Sequence, residues 1–497
     1  MKKFLIFTTI ILTTMVFLNS SNTSKNEIVP DKILSSLEKN GSVSQFGIHT
    51  WYASLTMSTM TDVQEAFLSA GYSSLEVPTI EGVHNAPQIF TSGNSFVTLR
   101  QRNSFLQVVW NICDPKVKSL LYPNESTGTG SVTLVQIGVE RMPNENSNPM
   151  NGMCYIYKLS DGSAVIIDGG HMSNADNLYA ALQKLDIKKD QYGRFNITAW
   201  IFTHGHGDHY SAFFNFAAKY HADTHISYIM HSFPTDENIL SPADCDVSAF
   251  VKHIRNHYPD AIHVTPHAGL KYHFGNLTLD MLYTPDFMYP TIQYSNDTSL
   301  IFIADCNGAR VLYMGDAGDA AAQTAWEEYE SNAFDADIVQ ITHHGLTTAQ
   351  GEDNPKSHEW TNLKNIYTAT HATIGLLPMG TRSPTANYNG RWVVLNVWAG
   401  IGYQTAFLID DRLTENNKIF TPQKDYDQFI DNIASGICSY KTLFGYNGVN
   451  IIVSKNGLIT YIMSTETENM ATVFSLSEQG IEVLENQLLH EWLNQLK

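Results

Sequence analysis

Thr203-His204-Gly205-His206-Gly207-Asp208-His209 packs three imidazoles and one carboxylate into six consecutive residues. It follows the apolar run Ile197-Thr198-Ala199-Trp200-Ile201-Phe202, which reads as a buried strand. The two glycines let the backbone turn sharply, so the side chains can converge instead of alternating. Imidazole nitrogen and carboxylate oxygen are the donors that Zn²⁺ and similar divalent ions take. Such a set can hold two ions side by side, and two ions can share the work of one hydrolysis. A His-rich surface tract would have no reason to sit at the end of a core strand.

Three more stretches repeat the pattern of an apolar strand ending in a ligand-type side chain beside glycine. They are Val165-Ile166-Ile167-Asp168-Gly169-Gly170, Val311-Leu312-Tyr313-Met314-Gly315-Asp316 and Val339-Gln340-Ile341-Thr342-His343-His344-Gly345. An Asp after a strand is commonly only a turn residue. Four such exits in one region, where chain leaves a core and function usually sits, point jointly to one site. Strand-like and helix-like patterns alternate across this region, with a hairpin signal at Asp161-Gly162, so the middle of the chain reads as a mixed α/β sandwich.

In this order the residues resemble the metallo-β-lactamase-fold hydrolase superfamily over roughly residues 131–410. Within it they are most similar to the hydrolase domains of ComEC-type competence proteins and to secreted phosphorylcholine esterases. Those proteins share the pattern seen here as Asn296-Asp297-Thr298-Ser299-Leu300 and the His-His-Gly ending. The resemblance implies a four-layer αβ/βα sandwich with small accessory segments at both ends. It also implies two divalent metal ions, zinc first, with manganese and iron as the other choices. Carried over residue by residue, His204 and His206 would bind the first ion and Asp208 and His209 the second. Asp316 would bridge the two, and one of His343 and His344 would complete the second site. The other would lie near the substrate as a donor to an oxyanion, so Asp208, His343 and His344 are the residues tied to catalysis. Asp168 would brace the His loop by hydrogen bonding rather than bind metal.

One departure stands out. Many members of the superfamily draw a third ligand for the first ion from a Thr-Pro-Gly-His turn, whereas this chain has Thr284-Pro285-Asp286-Phe287. That gap argues against a true β-lactamase. His231, after a strand at 226–230, is the candidate replacement, with His267 a weaker one. The expected chemistry is metal-assisted hydrolysis of a phosphodiester or related ester by an activated water. No Gly-x-Ser-x-Gly elbow is present, which speaks against a serine hydrolase. Two other readings remain: an iron-dependent oxidoreductase of the same fold, and a non-catalytic ligand-binding module. The Asp208-His209 pair suits the hydrolases better, and the near-complete ligand set counts against a module without activity. Tyr388, Trp392 and Trp398 follow the last motif, where rings could box a choline-like cation, and Arg382 and Arg391 could orient a phosphate.

The chain has 497 residues and a formal net charge of −19. A surface so acidic repels polyanions and disfavours nucleic acid as a partner, leaving a small-molecule or cell-surface ester as the expected substrate. Met1-Lys2-Lys3, the apolar stretch 4–18 and the small polar residues 19–24 form a secretory signal pattern. The expected location is therefore secreted or extracellular, with membrane attachment only through an uncleaved N-terminal segment. Five widely spaced cysteines include no C-x-x-C pair, so neither a thiol redox motif nor a zinc ribbon is indicated. The expected organisation is a signal peptide at 1–24, an accessory segment and linker at 25–130, the metal-bearing domain at 131–410, and a small α+β segment at 411–497 ending in a helix over 481–496.

Overall fold

The structure, a computed structural model, describes residues 33, 41–47, 50–55, 60–102, 105–123, 130–139, 152–289, 291–345, 361–372, 374–376, 378, 407–409, 439–445, 448–454 and 470–494. The chain divides into two compact units, one of residues 1–77 and 85–115, the other of residues 78–84 and 116–497. The first unit is a six-stranded antiparallel sheet built from β1 (Gly41–Gly47), β2 (Thr50–Leu55), β3 (Ser73–Leu75), β4 (Gln88–Ser92), β5 (Ser95–Arg102) and β6 (Phe105–Ile112), in the order β1-β2-β6-β5-β4-β3. The helix Met60–Ser69 buries Val63 and Phe67 in the same apolar cluster as Trp51, Phe90 and Trp110. The signal pattern at 1–24 lies outside the described residues.

The second unit carries two large sheets. In one, β7 (Val132–Ile137), β8 (Cys154–Lys158), β9 (Ala164–Asp168), β10 (Phe195–Ile201), β11 (Thr224–Met230) and β12 (Ile262–Val264) run outward in sequence order. Strands β9 to β12 pair in parallel. Parallel strands are covered on both faces, which is why β9 and the end of β10 are unbroken apolar runs. Helices Ala212–Tyr220 and Val247–His257 cover one face, where Trp200 meets Phe213 at 5.1 Å and Phe202 meets Phe250 at 5.3 Å. The other sheet has the order β13 (Lys271–Phe274), β14 (Leu277–Tyr283), β15 (Ile301–Cys306), β16 (Ala309–Tyr313), β17 (Ile338–Gln340), β18 (Ile374–Leu376). Helices Asp319–Glu328 and Thr361–Thr370 share a core cluster with its strands. Between the sheets, the Tyr157 and Tyr313 hydroxyls bond at 2.7 Å and the ring of Tyr155 meets that of Tyr313 edge-on at 5.0 Å. The layers therefore run helix, sheet, sheet, helix: the αβ/βα sandwich expected from the motif order.

The C-terminal part differs from expectation. The strands β19 (Phe407–Ile409), β20 (Ser439–Gly445) and β21 (Gly448–Ser454) form a small separate sheet. Residues read as a helix over 481–496 instead form β23 (Gly480–Leu488) and only a short helix, Leu489–Asn494. Gly480, at φ 118°, turns the chain so that β23 pairs with β22 (Met470–Ser477). β22 in turn pairs with β7. An edge strand exposes unpaired backbone groups, and β22 satisfies those of β7, so this hairpin extends the sheet that carries β9 and β10. Cys113, Cys154, Cys245 and Cys306 are buried, while Cys438 lies outside the described residues. Among the described residues no helix is long and apolar enough to cross a membrane.

The stretch before β15 is a 3-10 turn, Ser295–Thr298. Its Asp297 Oδ1 accepts a hydrogen bond from Gly318 N at 3.1 Å, at the start of the helix Asp319–Glu328. Burial pushes this carboxyl up to about 6, against the pull of the Gly318 and Ala321 amides. A folded-state pKa above the unfolded one means the folded chain holds the proton longer, so stability falls as pH rises between about 4 and 6. Asp297→Asn has no such titration. The melting temperature of the wild type should therefore drop relative to Asp297→Asn across that window, equivalent to roughly 2–3 kcal/mol. Scanning calorimetry of both proteins from pH 4 to pH 7 checks it.

Candidate metal centre

The site is assembled behind its metal-facing atoms by one carboxylate. β9 ends at Asp168, whose Oδ1 accepts Thr203 N at 2.7 Å and whose Oδ2 accepts Thr203 Oγ1 at 2.7 Å. Oδ2 also lies 2.7 Å from His209 Nδ1. Bonding at Nδ1 leaves His209 Nε2 to face the interior of the site, the arrangement by which an outer carboxylate orients a ligand imidazole. Gly169 N donates to His209 O at 2.7 Å, fixing the other end of the loop. Burial pushes the Asp168 carboxyl up, against the opposing pull of His209 and Thr203.

The other sheet delivers its residues through equally tight turns. Gly315 sits at φ 53°, and a Cβ there would lie 3.0 Å from both Ser299 and Thr203, so no larger residue fits between the two sheets at this point. The next residue, Asp316, donates its N–H to Ser299 Oγ at 3.0 Å, and His343 N donates to Gly315 O at 3.1 Å. Asp168, His343 and His344 have φ of 54°, 49° and 55°, half of the six non-glycine residues with positive φ among those described. Such conformations persist where surrounding bonds over-determine them, and they concentrate at functional sites.

Two groups of ligand-type atoms result, and Asp316 belongs to both. Asp208, His209, Asp316 and His344 form one; His204, His206 and Asp316 form the other, each with its atoms within 4.8 Å of one another. In the first group His209 Nε2 is 3.2 Å from Asp316 Oδ1 and 3.3 Å from His344 Nε2. His344 Nε2 is 3.3 Å from both Asp208 Oδ2 and Asp316 Oδ2. Donors held tetrahedrally about 2.0–2.1 Å from one ion stand about 3.3–3.4 Å apart. These pairs are that close, while His209 Nε2 and Asp208 Oδ1 stand 4.0 Å apart and the two imidazoles meet different oxygens of Asp316. The group is therefore compact enough to hold a divalent cation. The second group is looser, with His204 Nε2 3.7 Å from Asp316 Oδ2. His204 Nε2, His206 Nε2 and Asp316 Oδ1 are buried yet have no aligned hydrogen-bond partner. Buried polar atoms without partners are costly, and an ion would complete them.

The electrostatics say the same. Burial works against charge on His209, yet Asp316, Asp168 and Asp208 together hold its pKa well above the ordinary histidine value. Burial likewise disfavours the charged form of His344, but Asp316 and Asp208 raise it to about 9. The carboxylates of Asp208 and Asp316 stay ionised despite burial because His209 and His344 face them. The pocket thus collects positive charge where a cation would sit, and metal binding would displace protons from these imidazoles.

The adjacent histidines separate clearly. His344 joins the first group, with its Nδ1 2.6 Å from Pro378 O, whereas His343 Nε2 stays 4.0 Å from Asp316 and 3.4 Å from Asn296 Nδ2. His343 Nδ1 and Asn296 Oδ1 are buried without partners. His231 is a correction to the sequence reading. Its Nδ1 accepts Phe233 N at 3.2 Å and its Nε2 lies 2.8 Å from His263 Nε2, so both ring nitrogens are engaged away from the centre. His267 joins neither group. Tyr388, Trp392, Trp398, Arg382 and Arg391 lie outside the described residues.

The structure instead brings Asp244 to the first-ion side. Its Oδ1 is 3.3 Å from His206 Nε2, and residues 206 and 244 form an isolated antiparallel bridge. Burial opposes its charge, but His206, the Leu240 and Ser241 amides and Ser295 keep its pKa low. Asp244 follows Ser241-Pro242-Ala243 in a loop, with no strand, glycine or spacing to mark it, so nothing local in the sequence singles it out.

Residues 147–237 match the family described as the metallo-beta-lactamase superfamily, a stretch that includes Asp168 and the whole 204–209 loop. Among solved structures, the metallo-beta-lactamase fold protein YhfI from Bacillus subtilis is similar at 14% identity and a TM-score of 0.31, over 50% of this chain and 86% of that one. Rubredoxin oxygen:oxidoreductase from the anaerobe Desulfovibrio gigas is similar at 12% identity and a TM-score of 0.24, over 48% of this chain and 46% of that one. No curated protein matches the chain. The family match and the αβ/βα layers are consistent with the metallo-β-lactamase fold, and the His/Asp groups are candidate metal sites within it.

Asp244 Oδ1 faces the same nitrogen of His206 that an ion would take, so its carboxylate would act on that ion directly and not by orienting the ring from its other nitrogen. Carboxylates around a metal typically contribute about 10–100-fold to its affinity. Asp244→Ala should therefore weaken retention of one of two ions by about that factor while the other stays bound. Metal content after graded chelator dialysis, by mass spectrometry, tests it; equal loss of both ions would rule out a role confined to the His206 side.

Proposed function

We propose that this protein is an exported, metal-dependent hydrolase of a phosphodiester or related ester. The observation that carries the reading is the pair of His/Asp groups meeting at Asp316, each with its ligand-type atoms within 4.8 Å of one another. His204, His206 and Asp316 would hold one ion, and Asp208, His209, Asp316 and His344 the other. Two divalent ions so held, zinc in the first instance, supply an activated water at neutral pH and stabilise charge on the attacked group. Asp208 and His344, 3.3 Å apart, fix each other's orientation at the reacting face. His343 lies outside the tight group, and its Nδ1 has no hydrogen-bond partner among the described residues. With Asn296 Nδ2 3.4 Å from its Nε2, the ring is held beside the first group, where His343 would serve as a donor to a developing oxyanion. Export rests on the pattern of residues 1–24, and a small-molecule or cell-surface ester suits both that location and the chain's acidity.

The test is a screen of the purified chain loaded with zinc, manganese or iron against phosphodiester, phosphomonoester, lactam and thioester reporters. Diester turnover should require metal. Asp208→Ala should abolish it with circular dichroism unchanged, and His343→Ala should lower kcat by about 10²–10³-fold with metal content intact. Full turnover in metal-free protein would refute the reading, and tightly held iron with a visible absorption band would favour an oxidoreductase.

A further inference from the structure

Asp244 stands beside the candidate metal centre and bonds to two segments of chain beyond it. While Oδ1 faces His206 Nε2 at 3.3 Å, Oδ2 accepts Leu240 N and Ser241 N at 2.8 Å and Ser295 Oγ at 3.0 Å. A second tie holds the same loop, since Tyr289 Oη donates to Asn238 Oδ1 at 3.2 Å. These bonds set Ile239, Leu240 and Tyr294 each within one residue of a group bonded directly to the carboxylate that touches His206. Pinned as their backbones are, all three side chains face water, at 42%, 40% and 41% exposure. Among the described residues only eight large apolar side chains are so exposed, and these two segments carry three of them. Single exposed apolar residues need no explanation; apolar surface gathered beside a polar centre marks a ligand site. Small-molecule sites combine a few convergent polar groups with apolar walls, and the metal centre supplies the former.

We propose that Ile239, Leu240 and Tyr294 form an apolar rim of the metal centre that receives an alkyl or similar apolar group borne by the substrate beside its scissile ester. The substrate is then an amphiphile, with an anionic ester head at the His/Asp groups and an apolar substituent across the rim. The substrate's own tail is the occupant because one carboxylate, Asp244, both faces His206 and holds the two segments that carry the rim. This deepens the hydrolase reading and rests on it for the word substrate, but the rim itself is a statement about binding.

The experiment measures binding and turnover separately on the zinc-loaded full chain. Methyl phosphate and octyl phosphate are titrated by calorimetry, and methyl and octyl p-nitrophenyl phosphodiesters are assayed alongside. Octyl phosphate should bind at least about tenfold more tightly than methyl phosphate, as burial of methylene groups requires. The double variant Leu240→Ser, Tyr294→Ser should bring the ratio to within about twofold, with metal content and methyl phosphate affinity unchanged. Tyr192→Ser, an exposed ring before the opposite end of β10, should leave the ratio intact. Equal affinities in the wild type, a ratio that survives the double variant, or one that Tyr192→Ser also removes would overturn the rim. A ratio removed only by the double variant, with neither diester turned over, upholds the rim and overturns the hydrolase reading instead.

Discussion

The carboxylate of Asp168 is the interaction on which the site depends. It is fully buried, and an isolated buried charge would be prohibitive. It is tolerated because Thr203 N, Thr203 Oγ1 and His209 Nδ1 all converge on it at 2.7 Å. Those three bonds close the loop from β10 onto the end of β9 and turn the His209 ring so that its other nitrogen faces inward. Thr203 then passes the constraint to the second sheet, because Leu300 N donates to Thr203 O at 2.9 Å and Gly315 packs against its side chain. A hydrogen bond behind the site thus sets the spacing of atoms at its front.

That front is electrostatically incomplete as protein alone. Asp208 and Asp316 are ionised carboxylates in a pocket shared with His209 and His344, and the imidazoles can balance them only by holding protons. Nitrogen lone pairs and carboxylates this close together favour a divalent ion over a set of protons. Left-handed backbone at Asp168, His343 and His344 is the conformational cost of aiming side chains from two strand ends at one site, and at the His pair the bonds around Gly315 and Gln340 sustain it.

Strand exits were readable because each is a local pattern: an apolar run, a glycine, a ligand-type side chain. The hairpin at Asp161-Gly162 and the helix Ala175–Lys184, which buries Leu178, Ala181 and Leu182, follow from turn chemistry and apolar periodicity in the same way. The final residues misled because Ile481, Val483 and Leu484 fit a helical face and a strand about equally, and only pairing with β22, itself paired with β7, decides between them. His231 misled for a related reason. A histidine after a strand resembles a ligand until its neighbour across β12, His263, is seen to take its Nε2.

By itself the sequence determined that His204, His206, Asp208 and His209 leave one strand together, that Asp168, Asp316 and the 343–344 pair leave others, and that strands and helices alternate between them. Those facts reside in spacing along the chain. Tertiary structure alone decided that His344 rather than His343 enters the tight group, that Asp244 stands at His206, and that Ile239, Leu240 and Tyr294 border the centre. Each depends on groups separated by tens of residues in sequence, and their meeting is set by loop paths and hydrogen bonds that no local pattern encodes.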